Sequence, residues 1–411
     1  MPIDETRERW RWVPDRGAPA GPGDELLRLA CLRYTADDGP ARWARARELA
    51  AALAGLARAS VHVAAAVGDV DAVREALAGD PAAADRPGGP HGWPPLLYVT
   101  YSRVGGGDPV GVVDALLAAG ADPNAGFLWD GHLPPFTALT GVFGGGEGGV
   151  ANQPPHPQWR PLAQALLAAG ADPDDEQTLY NRHFEPDDAH LELLFAAGLG
   201  RGGGVWARRL APLKPTPIAA ALEDQLLFAA LRGLTDRVVL LLGRGVAPDG
   251  RGTRHPVTHG RTAVQLAIDV GAEAVAAVLL AAGAAPPALD PVEALLAAAM
   301  RGDRAAVEAA PRPLAAEAVA RDPARLAVAA GRGAHEAVRL LVALGFDPSH
   351  RARTTPLHEA AWRGDRETSA LLLSLGADPT VRDAEHAATP AQWARHAGHG
   401  DLADWLATHE P

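Results

Sequence analysis

The chain has 411 residues, 47% of them hydrophobic and 21% charged, with a formal net charge of −12, a composition that folds rather than staying extended in water. The acidic balance argues against nonspecific nucleic-acid binding, which rests on phosphate neutralisation, and the single cysteine, Cys31, excludes an internal disulfide and a multi-cysteine zinc site and suits a reducing cytoplasm. No stretch reaches the roughly 18 apolar residues of a membrane span, and the charged start MPIDETRERWRW lacks the apolar core of a secretion signal.

In chain order, residues 1–23, rich in Pro, Gly and Arg, read as an irregular N-terminal arm. Residues 24–58 carry helical periodicity in DELLRLACLRY and PARWARARELAAALAGLARAS and read as a helical cap. From about 59 onward one pattern recurs. The strings LLAAGADPN (116–124), LLAAGADPD (166–174), LLAAGAAPP (279–287) and LLSLGADPT (372–380) each end an apolar helix on a Gly and follow it with a polar turn containing Pro. The Gly suits the left-handed position just past a helix, and the Pro beyond cannot extend it. A shorter helix precedes each, seen most clearly in RTTPLHEAAWRGD (353–365). With the first residue of its Ala-Ala pair as marker, Ala267, Ala298, Ala329 and Ala360 follow at 31-residue intervals. Ala64, Val99, Val142, Arg182, Ala229 and Ala394 complete ten units over about 59–411. Small side chains there let consecutive short helices approach closely, and no unit buries its apolar face alone.

Thr355, Pro356, Leu357, His358, Ala360, Ala361 and Gly364 match the signature T-P-L-H-x-A-A-x-x-G position by position. On these residues, and on the order and period of the units, the chain resembles the ankyrin-repeat proteins. The resemblance implies an all-α ankyrin-repeat solenoid of about ten helix–turn–helix repeats behind a helical N-terminal cap. It also implies a protein-binding role and a concave groove formed by hairpin tips and first helices. His62 and His358 take the place of the motif histidine, which in this family hydrogen-bonds the neighbouring loop. Lys214 is the lone lysine among 38 basic residues, and with 45 Gly and 36 Pro this reads as a bacterial, actinobacterial-type coding bias rather than as chemistry.

Residues 59–217 read as irregular repeats one to four, and 218–411 as regular repeats five to ten including a C-terminal cap. Repeat two places Val99 and Thr100 at the Ala-Ala positions, beside Tyr98 and Tyr101. Insertions fall at 144–161, which stretches Gly120 to Gly170 to 50 residues, and at 200–217. In repeat four Tyr180 stands for the motif His, and Arg182-His183 for Ala-Ala. Burying both without partners would cost several kcal/mol. Either the alignment slips, or the groups are paired, with Glu185, Asp187 and Asp188 at hand. In the plainest version Asp187 or Asp188 caps the next helix and Arg182 makes an ordinary ion pair.

Unusual polar and aromatic residues fall on the groove elements: His91, Trp93, Tyr98, Tyr101, Asn124, Trp129, Asn152, His156, Tyr180, Asn181, Arg182 and His183. Aromatic walls with convergent polar groups suit ligand pockets and protein hot spots alike. The first expectation is a binding protein whose concave groove over repeats 2–4 engages a protein or peptide partner. The alternative is a small-molecule site in that groove, or a metal-independent acid–base enzyme of isomerase, cyclase or hydrolase type, with Tyr180, His183, Glu185 and Asp188 as its catalytic groups. An open groove would expose Trp93, Tyr98 and Tyr101 in one patch. A closed one would be roofed by both insertions and hold His183 and Glu185 within hydrogen-bonding reach.

Several chemistries are excluded. Lys214 lies in PLKPTP, which rules out a P-loop, lysine-dependent and kinase chemistry, and none of the five serines lies in G-x-S-x-G. No metal or cofactor is expected: His358-Glu359 belongs to the repeat motif, His396 and His399 to the last turn, and ADPDDE (171–176) lacks EF-hand spacing. Neither nucleic acid nor membrane is an expected partner, and a monomer is expected with oligomeric state left open.

Overall fold

The structure is a computed structural model that describes residues 5–14, 19–52, 55, 58, 60–258 and 260–410. Parts of the predicted arm (1–4 and 15–18), of the cap (53–54 and 56–57) and the end positions 59 and 411 of predicted repeats lie outside the described residues. The fold class is all-α and of the ankyrin-solenoid kind, 57% helical, with 26 α-helices among the described residues. The chain forms two compact units, Met1–Gln225 and Leu226–Pro411.

In the first unit the short helices Val61–Val67, Pro95–Tyr101, Ala138–Phe143 and Glu176–Arg182 stack in sequence. Each is followed by a second helix: Val70–Gly79, Pro109–Ala118, Trp159–Ala168 and Ala189–Ala197. The marker residues lie on the first helices, where Ala64, Val99 and Val142 are buried. Thr100 replaces an alanine without leaving a polar orphan, because its hydroxyl donates to the carbonyl of Leu96 at 3.0 Å within its own helix. The second helices stop on Gly120 and Gly170, both at φ 96°, where a side chain would strain the backbone. The amides of Ala121 and Ala171 then turn back to the carbonyls of Leu116 and Leu166.

The arm is ordered where it is described. Glu5–Trp10 is a helix, and Arg11–Trp12 runs parallel to Gly126–Trp129, which pairs antiparallel with Phe136–Thr137. This corrects the expectation of an irregular arm. Two helices, Pro22–Ala30 and Pro40–Ala52, follow the arm, the first against Val61–Val67. Between them buried Asp38 accepts from the amides of Arg33 and Tyr34 and ion-pairs with Arg42.

In the second unit the pairs are Ala263–Asp269 with Glu273–Ala281, Arg325–Gly331 with His335–Ala343, Pro356–Trp362 with Arg366–Ser374, and Pro390–His396 with Gly400–Ala407. Ala329, Ala330, Ala360, Ala361 and Ala394 are fully buried, so neighbouring first helices meet at van der Waals contact. The Nε2–H of His358 donates to the carbonyl of Ala388 at 3.0 Å, while its Nδ1 lies 2.8 Å from the Thr355 hydroxyl, which donates to it. His62 reaches the carbonyl of Arg86 in the same way, at 2.9 Å.

Within 218–411 the helix Ile218–Arg232 has 15 residues against seven in Ala263–Asp269 and Pro356–Trp362, and the stretch after Ala298 departs further from the others. After helix Pro291–Met300, the second helix Arg304–Glu308 has five residues, against nine in Glu273–Ala281, His335–Ala343 and Arg366–Ser374. A further helix, Arg312–Arg321, then takes the stretch where the others have a hairpin turn. Pro311 and Pro313 are the cause: a proline disfavours helix in the residue before it and is well suited to a helix's first turn. The 31-residue spacing survives while its interior is rebuilt.

Candidate functional site

The predicted groove residues of repeat two lie inside the first unit. Trp93 is 2% exposed and Tyr98 and Tyr101 are fully buried. The Trp93 ring lies 4.9 Å from Trp12, 4.9 Å from Phe127, 5.2 Å from Tyr101 and 4.6 Å from His91. The Tyr98 hydroxyl donates to the carbonyl of Gly88 at 2.8 Å and accepts from the amide of His91 at 3.1 Å. The Tyr101 hydroxyl donates to the carbonyl of Thr137 at 2.8 Å. Burial pushes His91 down to about 3, so its imidazole is neutral. The open aromatic patch does not form, because Trp12 from the arm and Phe127 from the strand beside it cover these rings.

Other predicted residues fasten loops. The Trp129 indole donates to the carbonyl of Arg33 at 3.0 Å, and the Asn152 amide to the carbonyl of Gly148 at 3.1 Å. His156, pushed down to about 3 by burial, accepts from the amide of Gln158 at 3.0 Å. Arg182 and His183 are both buried, but Arg182 is the last residue of helix Glu176–Arg182 and His183 its C-cap. Tyr180 and Asn181, placed after the N-cap Asp175 as Ala360 and Ala361 are after Thr355, take the Ala-Ala places, so the repeat-four alignment slips by two residues. Arg182 pairs with Asp187 at 3.2 Å, and Asp187 also accepts from the amide of Ala189 at 3.1 Å, the plainest of the arrangements the sequence allowed. The His183 Nδ1 donates to the carbonyl of Tyr180, and the Asn181 side-chain oxygen accepts from Gln177 at 2.8 Å. Tyr180 donates to Glu147 at 2.6 Å, and burial together with that carboxylate raises its phenol above the ordinary range.

A pocket of about 400 Å³ lies elsewhere in this unit, between residues 123–139, the turn 171–176 and the segment 200–219. Asn124 lines it, whereas Tyr180, His183, Glu185 and Asp188 do not. The insertion 200–217 supplies one wall with Trp206 and Leu210, continued by Ile218, and the insertion 144–161 takes no part. Four carboxylates face this wall: Asp172, Asp174, Asp175 and Glu176.

Each acid is held by a local contact. Asp174 accepts from the amides of Gly200 at 2.7 Å and Gly202 at 2.8 Å, drawing the insertion onto the turn. Asp175 caps helix Glu176–Arg182 through the amide of Thr178 at 2.9 Å and accepts from the hydroxyls of Thr140 and Thr137. Asp172 accepts from the amide of Asp174 at 3.1 Å, and its carboxylate lies against Gly204, so a side chain there would displace it. Asn124 donates to the carbonyl of Gly170 at 3.0 Å and accepts from the amide of Asp172 at 2.8 Å, joining successive turns. Arg209 donates to the carbonyl of Asn124 at 2.7 Å, pairs with Asp122, and lies 5.0 Å over Trp206 and 5.4 Å over Trp10.

Burial raises Asp175 to about 6, against the hydrogen bonds from Thr137, Thr178 and Thr140. Burial raises Glu176 further, to about 7, with Asp175 and Asp224 adding repulsion and Thr216 opposing through a hydrogen bond. Among the described residues neither Glu176 nor Asp172 forms an ion pair. The arrangement has the chemistry to receive a cation, and Glu176 is divided between its protonated and ionised forms near neutral pH. Sequence reasoning passed over Asp172, Asp174, Asp175, Glu176 and Trp206. For the acids the signal was the run itself, DPDDE where the other turns carry at most one Asp.

A family model for ankyrin repeats (3 copies) matches residues 295–383. That stretch of the chain consists of ankyrin repeats. Repeats of this class generally mediate protein–protein interaction, which supports a binding role. No curated protein matches the chain. Among the described residues no helix is long and apolar enough to cross a membrane, and no group of three or more His, Cys, Asp or Glu is arranged to hold a metal ion.

Proposed function

We propose that the chain is a binding protein that receives a basic side chain of a protein or peptide partner in the pocket between the turn 171–176 and the segment 200–219. The observation that carries this reading is Glu176, a desolvated carboxylate without a cation partner among the described residues, set against Trp206, Leu210 and Ile218. A lysine or arginine would bring the missing charge while its aliphatic stem lies along the apolar wall. The groove over repeats 2–4, imagined as exposed aromatic residues, gives way here to this pocket. The test is calorimetric titration of the full chain with Lys- and Arg-containing peptides, with Glu176→Gln and Asp172→Asn beside wild type. Binding should tighten from about pH 6 to 8 as Glu176 ionises, and Glu176→Gln should weaken it about tenfold and flatten its pH dependence. Binding that ignores Glu176→Gln would sink the proposal.

A second reading rests on the same carboxyl. At about 7, Glu176 is divided between acid and base near neutral pH, the condition for general acid–base catalysis. Glu176 would then act on a small molecule in the role first given to Tyr180, His183, Glu185 and Asp188. Turnover lost in Glu176→Gln, with no peptide bound by wild type, would favour it.

A further inference from the structure

The rebuilt stretch of the second unit opens a cleft that is independent of the pocket above. About 680 Å³ lies between helices Arg304–Glu308 and Arg312–Arg321 and the C-terminal end of His335–Ala343. Its cause is the short second helix. Four residues fewer than its counterparts is about one turn of helix, or roughly 6 Å of length at about 1.5 Å per residue. The floor is apolar: Val307 and Leu340 belong to the buried core, and Val319 and Leu344 pack against it. The charged lining has the opposite sign to the chain as a whole. Arg304, Arg312 and Arg339 face the cleft against one carboxylate, Glu308, in a chain of net charge −12. Arg304 pairs with Glu336 at 2.5 Å and approaches Glu308 at 3.8 Å, and Arg339 approaches Glu336 at 3.7 Å. The unpaired positive charge of the rim is therefore that of exposed Arg312, which has no ion pair among the described residues.

We infer that this cleft docks a short helical segment of a partner protein, with Leu-sized residues on one face and acidic residues flanking them. The space left by a missing helical turn is matched by a helix supplied from outside, whose apolar face would complete the interrupted layer of second helices. The rim selects carboxylates through Arg312, whose guanidinium offers paired donors to a carboxylate fork, with Arg304 and Arg339 beside it held by their glutamates. An acidic segment would otherwise be repelled by a chain of this net charge, so the local reversal confines its docking to the cleft.

The test uses the full chain and a fluorescent helix-forming peptide of about three turns, with Leu along one face and Glu at both flanks. A Lys-flanked twin and laurate serve as competing probes. The Glu-flanked peptide should bind, and its Lys twin about tenfold more weakly. Arg312→Glu should weaken the Glu-flanked peptide about tenfold and favour the twin. Ala316→Trp, which fills the cleft, should abolish binding. Arg312 is an exposed side chain, so its variant keeps the test valid if the tryptophan variant fails to fold. No binding of the Glu-flanked peptide, equal binding of both peptides, or indifference to Arg312→Glu would overturn the inference. So would laurate binding with the peptide ignored, which would make the cleft a lipid site.

Discussion

Replacing Glu176 by Gln removes one charge and little volume. In the folded chain this carboxyl sits at about 7, against 4.5 for the free group, because burial outweighs the hydrogen bond from Thr216. The folded-state pKa is the higher of the two, so the folded chain holds the proton more tightly than the unfolded one. The stability this lends is fully present below about 4.5 and is lost as pH rises through about 7. At about 1.4 kcal/mol for each tenfold in proton affinity, the ionised group costs about 3 kcal/mol when fully desolvated. The solvent that still reaches it lowers this to about 2 kcal/mol. Glu176→Gln should therefore match wild type near pH 4 and exceed its stability by about 2 kcal/mol near pH 8. Urea melts followed by far-UV circular dichroism across that range read the difference, and taking variant minus wild type cancels the other carboxylates. An advantage that is absent near pH 8, or that grows toward acid, would refute the reasoning. The same substitution should weaken peptide binding, so stability and binding move in opposite directions.

Three further outcomes are expected. His358→Ala leaves the carbonyl of Ala388 unsatisfied beside a cavity and should cost about 2–3 kcal/mol in thermal melts of the full chain. Because burial lowers the His358 pKa, its contribution should hold at neutral pH and fade as pH falls below about 6.5. Trp12→Ala removes ring contacts at 4.8–5.4 Å with Phe127, Trp93 and His91 and should free the arm, seen as faster tryptic cleavage at Arg7, Arg9 and Arg11. Unchanged cleavage would show that the strand pairing alone holds it. Arg103 is fully enclosed and donates to the carbonyls of Thr100, Ser102, Gly141 and Pro154, which ties the insertion 144–161 to two first helices. A lysine cannot span that fork, so Arg103→Lys should cost about 3 kcal/mol by urea melt, and a loss well under 1 kcal/mol would contradict this role.

The repeat was legible because nearly everything that makes it is local. Thr355, His358 and the loop carbonyl of Ala388 form one hydrogen-bonded set about thirty residues long, and Gly120 and Gly170 stop their helices by backbone conformation alone. The arm was not legible for the opposite reason. Trp12 aligns with Trp129, far along the chain, through a strand of two residues, and so short a strand carries no period. Helix Arg312–Arg321 was hidden differently: the interval from Ala298 to Ala329 stays at 31, so a reading by period passes over it, and Pro311 and Pro313 were the visible sign.

The candidate site meets a related limit. Tyr98, Tyr101 and His91 stand out in the sequence by their departure from the motif. Yet their departure answers an internal need, since the added layer of Trp12 and Phe127 requires rings beneath it. The acids of 171–176 look ordinary in a polar turn, and their importance comes from a segment beginning at 200, brought over them by the amides of Gly200 and Gly202 on Asp174. Four carboxylates beneath such a cover must be solvated, neutralised or paired. Asp174 and Asp175 are met by amides and hydroxyls, whereas Glu176 has the Thr216 hydrogen bond and no cation among the described residues. A penalty of about 2 kcal/mol retained in the resting chain is what a binding site pre-set for an incoming charge requires, because the cation that enters removes the same penalty.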